Sequence, residues 1–275
     1  MSAEYSQPGA EPFTQRSPRV VAARRLTRRP EREKAGRFLA EGANAVGAAL
    51  EREAARELFV TERAAQAHPG LVTAALEQGI RVSAITERAA DGLSETVTPQ
   101  GIVAVCDLLD RPLEGLLAPG ARLVAVLADV ADPGNAGTVI RVADAAGADA
   151  VILAGDSVDP HNGKCVRASA GSLFHPPLAR VRDTAAALEA CRAAGLRLLG
   201  AHGYAETELD SMPLDRPVAW VFGNEAHGLS PEVLESVDEA VRIPIYGAAE
   251  SLNLATAAAV CLYASAMASR RSNGG

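Results

Sequence analysis

Leu123-Val124-Ala125-Val126-Leu127, followed by Asp129-Val130-Ala131-Asp132-Pro133-Gly134-Asn135-Ala136-Gly137-Thr138-Val139-Ile140-Arg141, reads as a strand, a turn and the start of a helix. The first five residues form a continuous apolar run, the pattern of a strand buried on both faces of a parallel sheet. Pro133 and Gly134 turn the chain, and Asn135 has the kind of short polar side chain that caps helices. A helix over residues 137–146 then leads to Ala150-Val151-Ile152-Leu153. The alternation continues through strands at 196–201, 218–222 and 240–243 to a final helix over 252–268. Short apolar strands alternating with helices predict an α/β domain of about 150 residues around a parallel sheet.

Toward the N-terminus the pattern repeats on a smaller scale. Residues 17–26 carry Val20, Val21 and Leu26 at helical spacing among arginines, and Phe38-Leu39-Ala40-Glu41-Gly42 is a short strand and turn. Helices at 45–56 and 70–78 separate strands at 57–61, 81–85 and 101–106, which makes 16–108 a small α/β domain. Pro112, Gly115, Pro119 and Gly120 punctuate 109–121, read as a linker to a second domain at 122–269. Residues 1–15 and 270–275 read as disordered tails.

With 48% hydrophobic and 22% charged residues the composition is that of a globular protein. Nothing resembles a signal peptide, and no apolar run is long enough to span a bilayer. Cys106, Cys165, Cys191 and Cys261 lack metal-ligand spacing and read as reduced thiols of a cytoplasmic protein, with no metal expected. The net charge of −7 hides an uneven distribution: from Arg16 to Arg37 nine basic residues face two acids, a local +7 on a body of −14. Such an arm suits phosphate binding, although a solvated, charge-rich helix has the same composition.

Ligands gather at the carboxyl ends of strands in α/β sheets. Three loops there are rich in polar groups. The first contains Asn135 and Arg141. An arginine beside a buried strand calls for a partner, either an RNA phosphate or a salt bridge to Asp129 or Asp132. The second is Gly223-Asn224-Glu225-Ala226-His227-Gly228, where glycines allow close backbone approach and Glu225 could hold a ribose or an amine. In the third, Pro244 ends a strand, Ser251 is read as the cap of the last helix and Asn253 as lying in its first turn. The absence of G-x-G-x-x-G, a P-loop, a metal cluster or a serine nucleophile elbow argues against those chemistries. The Ala-rich last helix has little polar face, which predicts a second subunit packed on it in a homodimer.

In order, these loops resemble the three motifs of the SpoU (TrmH) family of RNA 2′-O-ribose methyltransferases, within the SPOUT superfamily. The matching residues are Asn135, Gly137 and Arg141, then Gly223, Glu225 and Gly228, then Pro244, Ser251, Leu252 and Asn253. The stretch from Lys164 to Phe174 is similar to the family as well. Residues 16–108 resemble the substrate-binding domain found ahead of many such enzymes, similar in fold to ribosomal protein L30e. That likeness rests on Arg37-Phe38-Leu39-Ala40-Glu41-Gly42 and on Thr98-Pro99-Gln100-Gly101-Ile102-Val103-Ala104.

The resemblance implies a SPOUT domain with a deep trefoil knot, dimerisation, and S-adenosyl-L-methionine as cofactor. By position Gly223, Asn224, Ile243, Pro244 and Leu252 would contact the cofactor, and Arg141, Asn135, Glu225, Ser251 and Asn253 would form the catalytic set. RNA would lie on Arg24, Arg25, Arg28, Arg29 and Arg37, with 23S ribosomal RNA favoured over transfer RNA. A guanidinium holds its proton too tightly to be an efficient base at neutral pH, so Arg141 is expected to orient a phosphate and stabilise charge on the 2′-oxygen. Removing residues 1–108 is expected to weaken RNA binding and spare cofactor binding. The alternatives are a transfer-RNA methyltransferase of another SPOUT branch and a non-catalytic relative that binds ribosomal RNA.

Overall fold

The computed structural model describes residues 11–272, which fall into two compact units. The first holds helices α1 (Pro18–Arg25), α2 (Arg29–Ala35), α3 (Ala43–Glu51), α4 (Glu62–Ala67), α5 (Pro69–Glu77) and α6 (Glu87–Leu93). Its strands are β1 (Arg37–Glu41), β2 (Ala55–Val60), β3 (Arg81–Ala84) and β4 (Ile102–Asp107), in the order β1-β4-β2-β3. The second unit is built on β5 (Leu123–Ala128), β6 (Ala150–Ala154), β7 (Leu178–Val181), β8 (Arg197–Ala201), β9 (Thr207–Glu208), β10 (Val218–Phe222) and β11 (Glu239–Arg242). Helices α7 (Pro133–Ala146), α9 (Thr184–Ala193), α10 (Pro231–Ser236) and α11 (Leu254–Ser272) connect or follow these strands. α8 (Gly163–Ser169) belongs to the first unit, to which the chain returns for residues 159–175.

That excursion corrects the expected domain division. In the first unit Asp159 accepts from Arg32 Nε (3.0 Å) and Nη2 (2.6 Å), with both side chains almost fully buried. Burial alone would raise the Asp159 carboxyl, but His161 and Arg32 outweigh it and hold the group well below the ordinary carboxylate range. Phe38 packs on His161 and Phe174, with ring centroids 4.7 and 5.8 Å away. Gly171, at φ +99°, lets the segment approach α3: a Cβ there would lie 3.0 Å from the Asn44 carbonyl oxygen. Arg32, counted in the basic arm, is therefore a structural residue. Deleting 1–108 would strip residues 159–175 of the unit they fold into, Arg32 and Phe38 included. The deletion is not a clean test of RNA binding.

Other boundaries shift too. Residues 1–10 and 273–275 of the expected tails lie outside the described residues. Phe13 is ordered, bridging the edge strand through Phe13 N to Ala84 O (2.8 Å) and Thr86 N to Phe13 O (3.0 Å). Arg270 to Ser272 continue α11. The expected linker is attached to the second unit: Arg180 donates to both carboxylate oxygens of Asp110 (2.7 and 2.8 Å), and Leu116 joins the second core.

The seven-stranded sheet runs β7-β6-β5-β10-β8-β11-β9, and every pairing in it is parallel. β5, β6 and β10 are buried along their whole length, as their unbroken apolar sequences require. Trp220 is fully buried and donates its indole N–H to Ser265 Oγ (2.8 Å), so α11 is fixed to the sheet. Its burial is worth about 4–6 kcal/mol. From β5 the chain works outward to β7, whereas β10 returns to lie between β5 and β8. Loops on either side of that reversal diverge, which opens a crevice at the carboxyl ends of β5 and β10.

Candidate active site

All three polar loops leave the carboxyl edge of this sheet, after β5, β10 and β11. A cavity of about 360 Å³ lies there, within the size range of small-molecule sites. Gly223, Asn224, Glu225, Ile243, Ser251 and Leu252 line it; Asn135, Arg141, Pro244 and Asn253 do not. His202 and Gly203, directly after β8, also line it. The sequence signal for them was present, since they end the apolar run of β8. Only the strand order shows that this loop adjoins the one after β11.

The loop after β10 is a closed turn. Asn224 N donates to Gly228 O (2.9 Å), and Gly228 N donates back to Asn224 O (2.8 Å). The Asn224 side chain accepts from Ala226 N and His227 N and donates to Asp129 O (2.9 Å), so its amide is committed to shaping the loops. A Cβ on Gly223 would lie 2.2 Å from the Gly228 carbonyl carbon. Only glycine fits at this crossing of two backbones. His227 is exposed.

Glu225 ties the loop after β10 to the one after β5. Its Oε2 accepts from Ala131 N, and its Oε1 accepts from Asp132 N and Asn135 Nδ2, each at 3.0 Å. Burial pushes the carboxyl up, but these N–H donors prevail and hold it below the ordinary carboxylate range. Asn135 Oδ1 in turn accepts from Asn253 Nδ2 (3.1 Å). Glu225, Asn135 and Asn253 thus form one hydrogen-bonded chain across all three loops. It positions the loops rather than offering a proton at the cavity.

Two capping expectations are corrected. α7 starts at Pro133 and its cap is Asp132, which accepts from Asn135 N (2.9 Å). That frees the Asn135 side chain for Glu225 and Asn253. α11 starts at Leu254, and its cap is Asn253, not Ser251: Asn253 Oδ1 accepts from Ala255 N (2.9 Å) and Thr256 N (3.3 Å). A cap favours the short polar side chain that a helix interior disfavours. Arg141 lies on α7 with its side chain exposed; among the described residues it makes no ion pair, neither to Asp129 nor to Asp132.

Residues 122–263 match the SpoU rRNA Methylase family, and 17–104 match the MRM3-like substrate binding domain. The chain belongs to the SpoU rRNA methylase family. A Bacillus subtilis relative, 23S rRNA (guanosine(2553)-2'-O)-methyltransferase RlmP, is 36% identical over 87% of this chain and 92% of its own. Among solved structures, the AdoMet-bound rRNA methyltransferase from Sinorhizobium meliloti superposes with a TM-score of 0.83 at 31% identity, covering 95% of this chain and 98% of that one. The SpoU methyltransferase AviRb from Streptomyces viridochromogenes, in complex with AdoMet, gives 0.81 at 30% identity over 94% and 100%.

The cavity suits that SpoU cofactor. Phe222, Val241, Ile243 and Leu254 supply apolar walls for a flat base, while Ser251, Glu225 and the backbone of the glycine-rich loop supply polar groups. The exposed arginines expected on RNA divide in two. Arg29 pairs with Glu33 (2.9 Å) and Arg37 lies 3.6 Å from Asp107, whereas Arg24, Arg25 and Arg28 make no ion pair among the described residues. No helix among the described residues is long and apolar enough to cross a membrane.

Proposed function

We propose that this enzyme methylates a ribose 2′-hydroxyl in 23S ribosomal RNA, with S-adenosylmethionine as methyl donor. The observation that carries the reading is the Glu225–Asn135–Asn253 chain, which ties the three motif loops together at the edge of the cavity, while Arg141 on α7 makes no ion pair among the described residues. The bound cofactor supplies an electrophilic methyl group. Gly223, Ser251 and Leu252, which line the cavity, would hold the cofactor. Arg141 orients the target nucleotide through its phosphate and stabilises charge developing on the 2′-oxygen. The exposed Arg24, Arg25 and Arg28 contact RNA phosphates, an interaction that weakens as salt rises.

This reading includes the family's trefoil knot, action in the cytoplasm and a homodimer. Support for the dimer lies on α11. Ala255, Ala258, Cys261, Leu262 and Ser265 are buried by their own unit, while Val260, Tyr263 and Met267 form an exposed apolar row. A monomer mass by light scattering would remove that part.

The decisive experiment compares wild type with Arg141→Ala, using methyl-labelled cofactor and unmodified ribosomal or transfer RNA. Wild type should place label in a 2′-O-methyl nucleoside of ribosomal RNA. The variant should lose at least about 100-fold in rate while its cofactor Kd stays within a few-fold. Label on a base, or in transfer RNA alone, would refute the assignment, and loss of cofactor binding would refute the role of Arg141.

A further inference from the structure

The cavity is bordered by two loops at the carboxyl ends of neighbouring strands. β8 and β11 are paired in register, Val241 opposite Ala201, and His202 N donates to Val241 O (2.9 Å). The chain then runs through Tyr204 on one side and Tyr246 on the other. Tyr204 is 92% exposed and Tyr246 91% exposed. The chain is only 4% aromatic, with four tyrosines. Two of the four therefore stand in water at the rim of the cavity, each one residue from a group that lines it, Gly203 for Tyr204 and Ile245 or Gly247 for Tyr246. The His202 ring meets Tyr204 edge-on, at 5.8 Å between centroids.

From these placements we infer that Tyr204 and Tyr246 are a stacking platform for unpaired RNA bases next to the methylated ribose. The inference rests on the proposed methyl transfer and deepens it by naming the form of RNA the site takes. A ribose can reach a cofactor in a cavity only if its nucleotide leaves the helix, which leaves neighbouring bases without stacking partners. Exposed aromatic rings replace those partners whatever the base, because every base has a π face. The charge around them favours bases over phosphates. No Lys or Arg occurs from His202 to Glu208 or from Ile243 to Asn253, and Glu206 and Glu250 are exposed there. Arg242, the cation that lines the cavity, is paired with Glu208, so phosphates are left to Arg141 and the N-terminal arginines. The substrate segment is accordingly a loop, bulge or single strand.

The test uses the full chain as wild type, Tyr204→Ala, Tyr246→Ala and the two Phe variants. It reads single-turnover methylation of unmodified ribosomal RNA, cofactor Kd by calorimetry and mass by light scattering. Each Ala variant should lose about 5- to 100-fold in kcat/KM for RNA, with cofactor Kd and mass unchanged. The Phe variants, which keep the ring and lose the hydroxyl, should stay within about twofold of wild type. Ala variants as fast as wild type would overturn the inference. A changed mass would assign the tyrosines to a subunit interface instead, and a lost cofactor Kd would assign them to the cofactor; either result overturns it. A wild type that labels no RNA would refute the underlying function and this inference with it.

Discussion

The loops after β10 and β11 border one cavity but are held in opposite ways. The first is braced by two backbone hydrogen bonds between Asn224 and Gly228, by the Asn224 side chain and by three bonds to Glu225. The second is anchored only at its ends, by Arg242 to Glu208 (2.5 Å) before it and by the Asn253 cap after it. Between them, residues 243–252 make no hydrogen bond among the described residues. One wall of the site is built before any ligand arrives. The other lacks such bracing, and we expect it to be ordered by what binds, with part of the binding free energy going into fixing it.

The sharpest way to break this contrast is Gly223→Ala. Its methyl group would fall on the Gly228 backbone, which cannot rotate away. We expect a loss of about 1–3 kcal/mol of stability and at least a tenfold loss of cofactor affinity, read by thermal melts and calorimetry. Wild-type affinity would mean that the first wall is not preformed.

Glu225→Gln is the next test. An amide turns an N–H toward donors that now meet carboxylate oxygens, so turnover should fall about 10- to 100-fold. Acid should act on the same group. A depressed folded-state pKa stabilises the clamp above the unfolded carboxylate value of about 4.3 and is lost as pH falls through the folded value. Cofactor affinity of wild type should therefore hold from neutrality to near that value and fall below it, while the Gln variant shows no such step. Equal pH profiles would remove Glu225 from the clamp.

The smallest effect is in hydrogen exchange. The amides of Asn224 and Gly228 should be protected without cofactor, and those of residues 247–252 should exchange quickly until cofactor is added. Protection of both loops from the start would erase the difference.

Most of this site was legible in the sequence because each polar loop follows an apolar strand that declares itself. Glu225, Asn135 and Asn253 stood out as polar groups at strand ends, but which of them touch depends on strand order. The order β5-β10-β8-β11 is set by chain crossings that no local pattern encodes. The caps were misplaced by two and three residues because Asp132, Asn135, Ser251 and Asn253 are all good cap residues, and only tertiary partners decide among them. Short elements such as α2, α4, α6, β7 and β9 carry too few residues for a clear period. The two-part nature of the first unit was invisible for another reason: Asp159 and His161 look like any polar turn until Arg32 and Phe38 are seen beneath them.

That last feature bears on how the protein is made. A ribosome releases the chain from the N-terminus, and the first unit is not complete when Leu108 emerges. Its Arg32 must wait for Asp159, and its Phe38 for His161 and Phe174. At translation rates of ~5–20 residues per second the wait is roughly 3 to 13 seconds. During that interval the nascent chain holds a guanidinium at a site that burial would favour only once neutralised. Synthesis therefore couples the two units in time: the first unit cannot close until the first strands of the seven-stranded sheet, β5 and β6, have already been made.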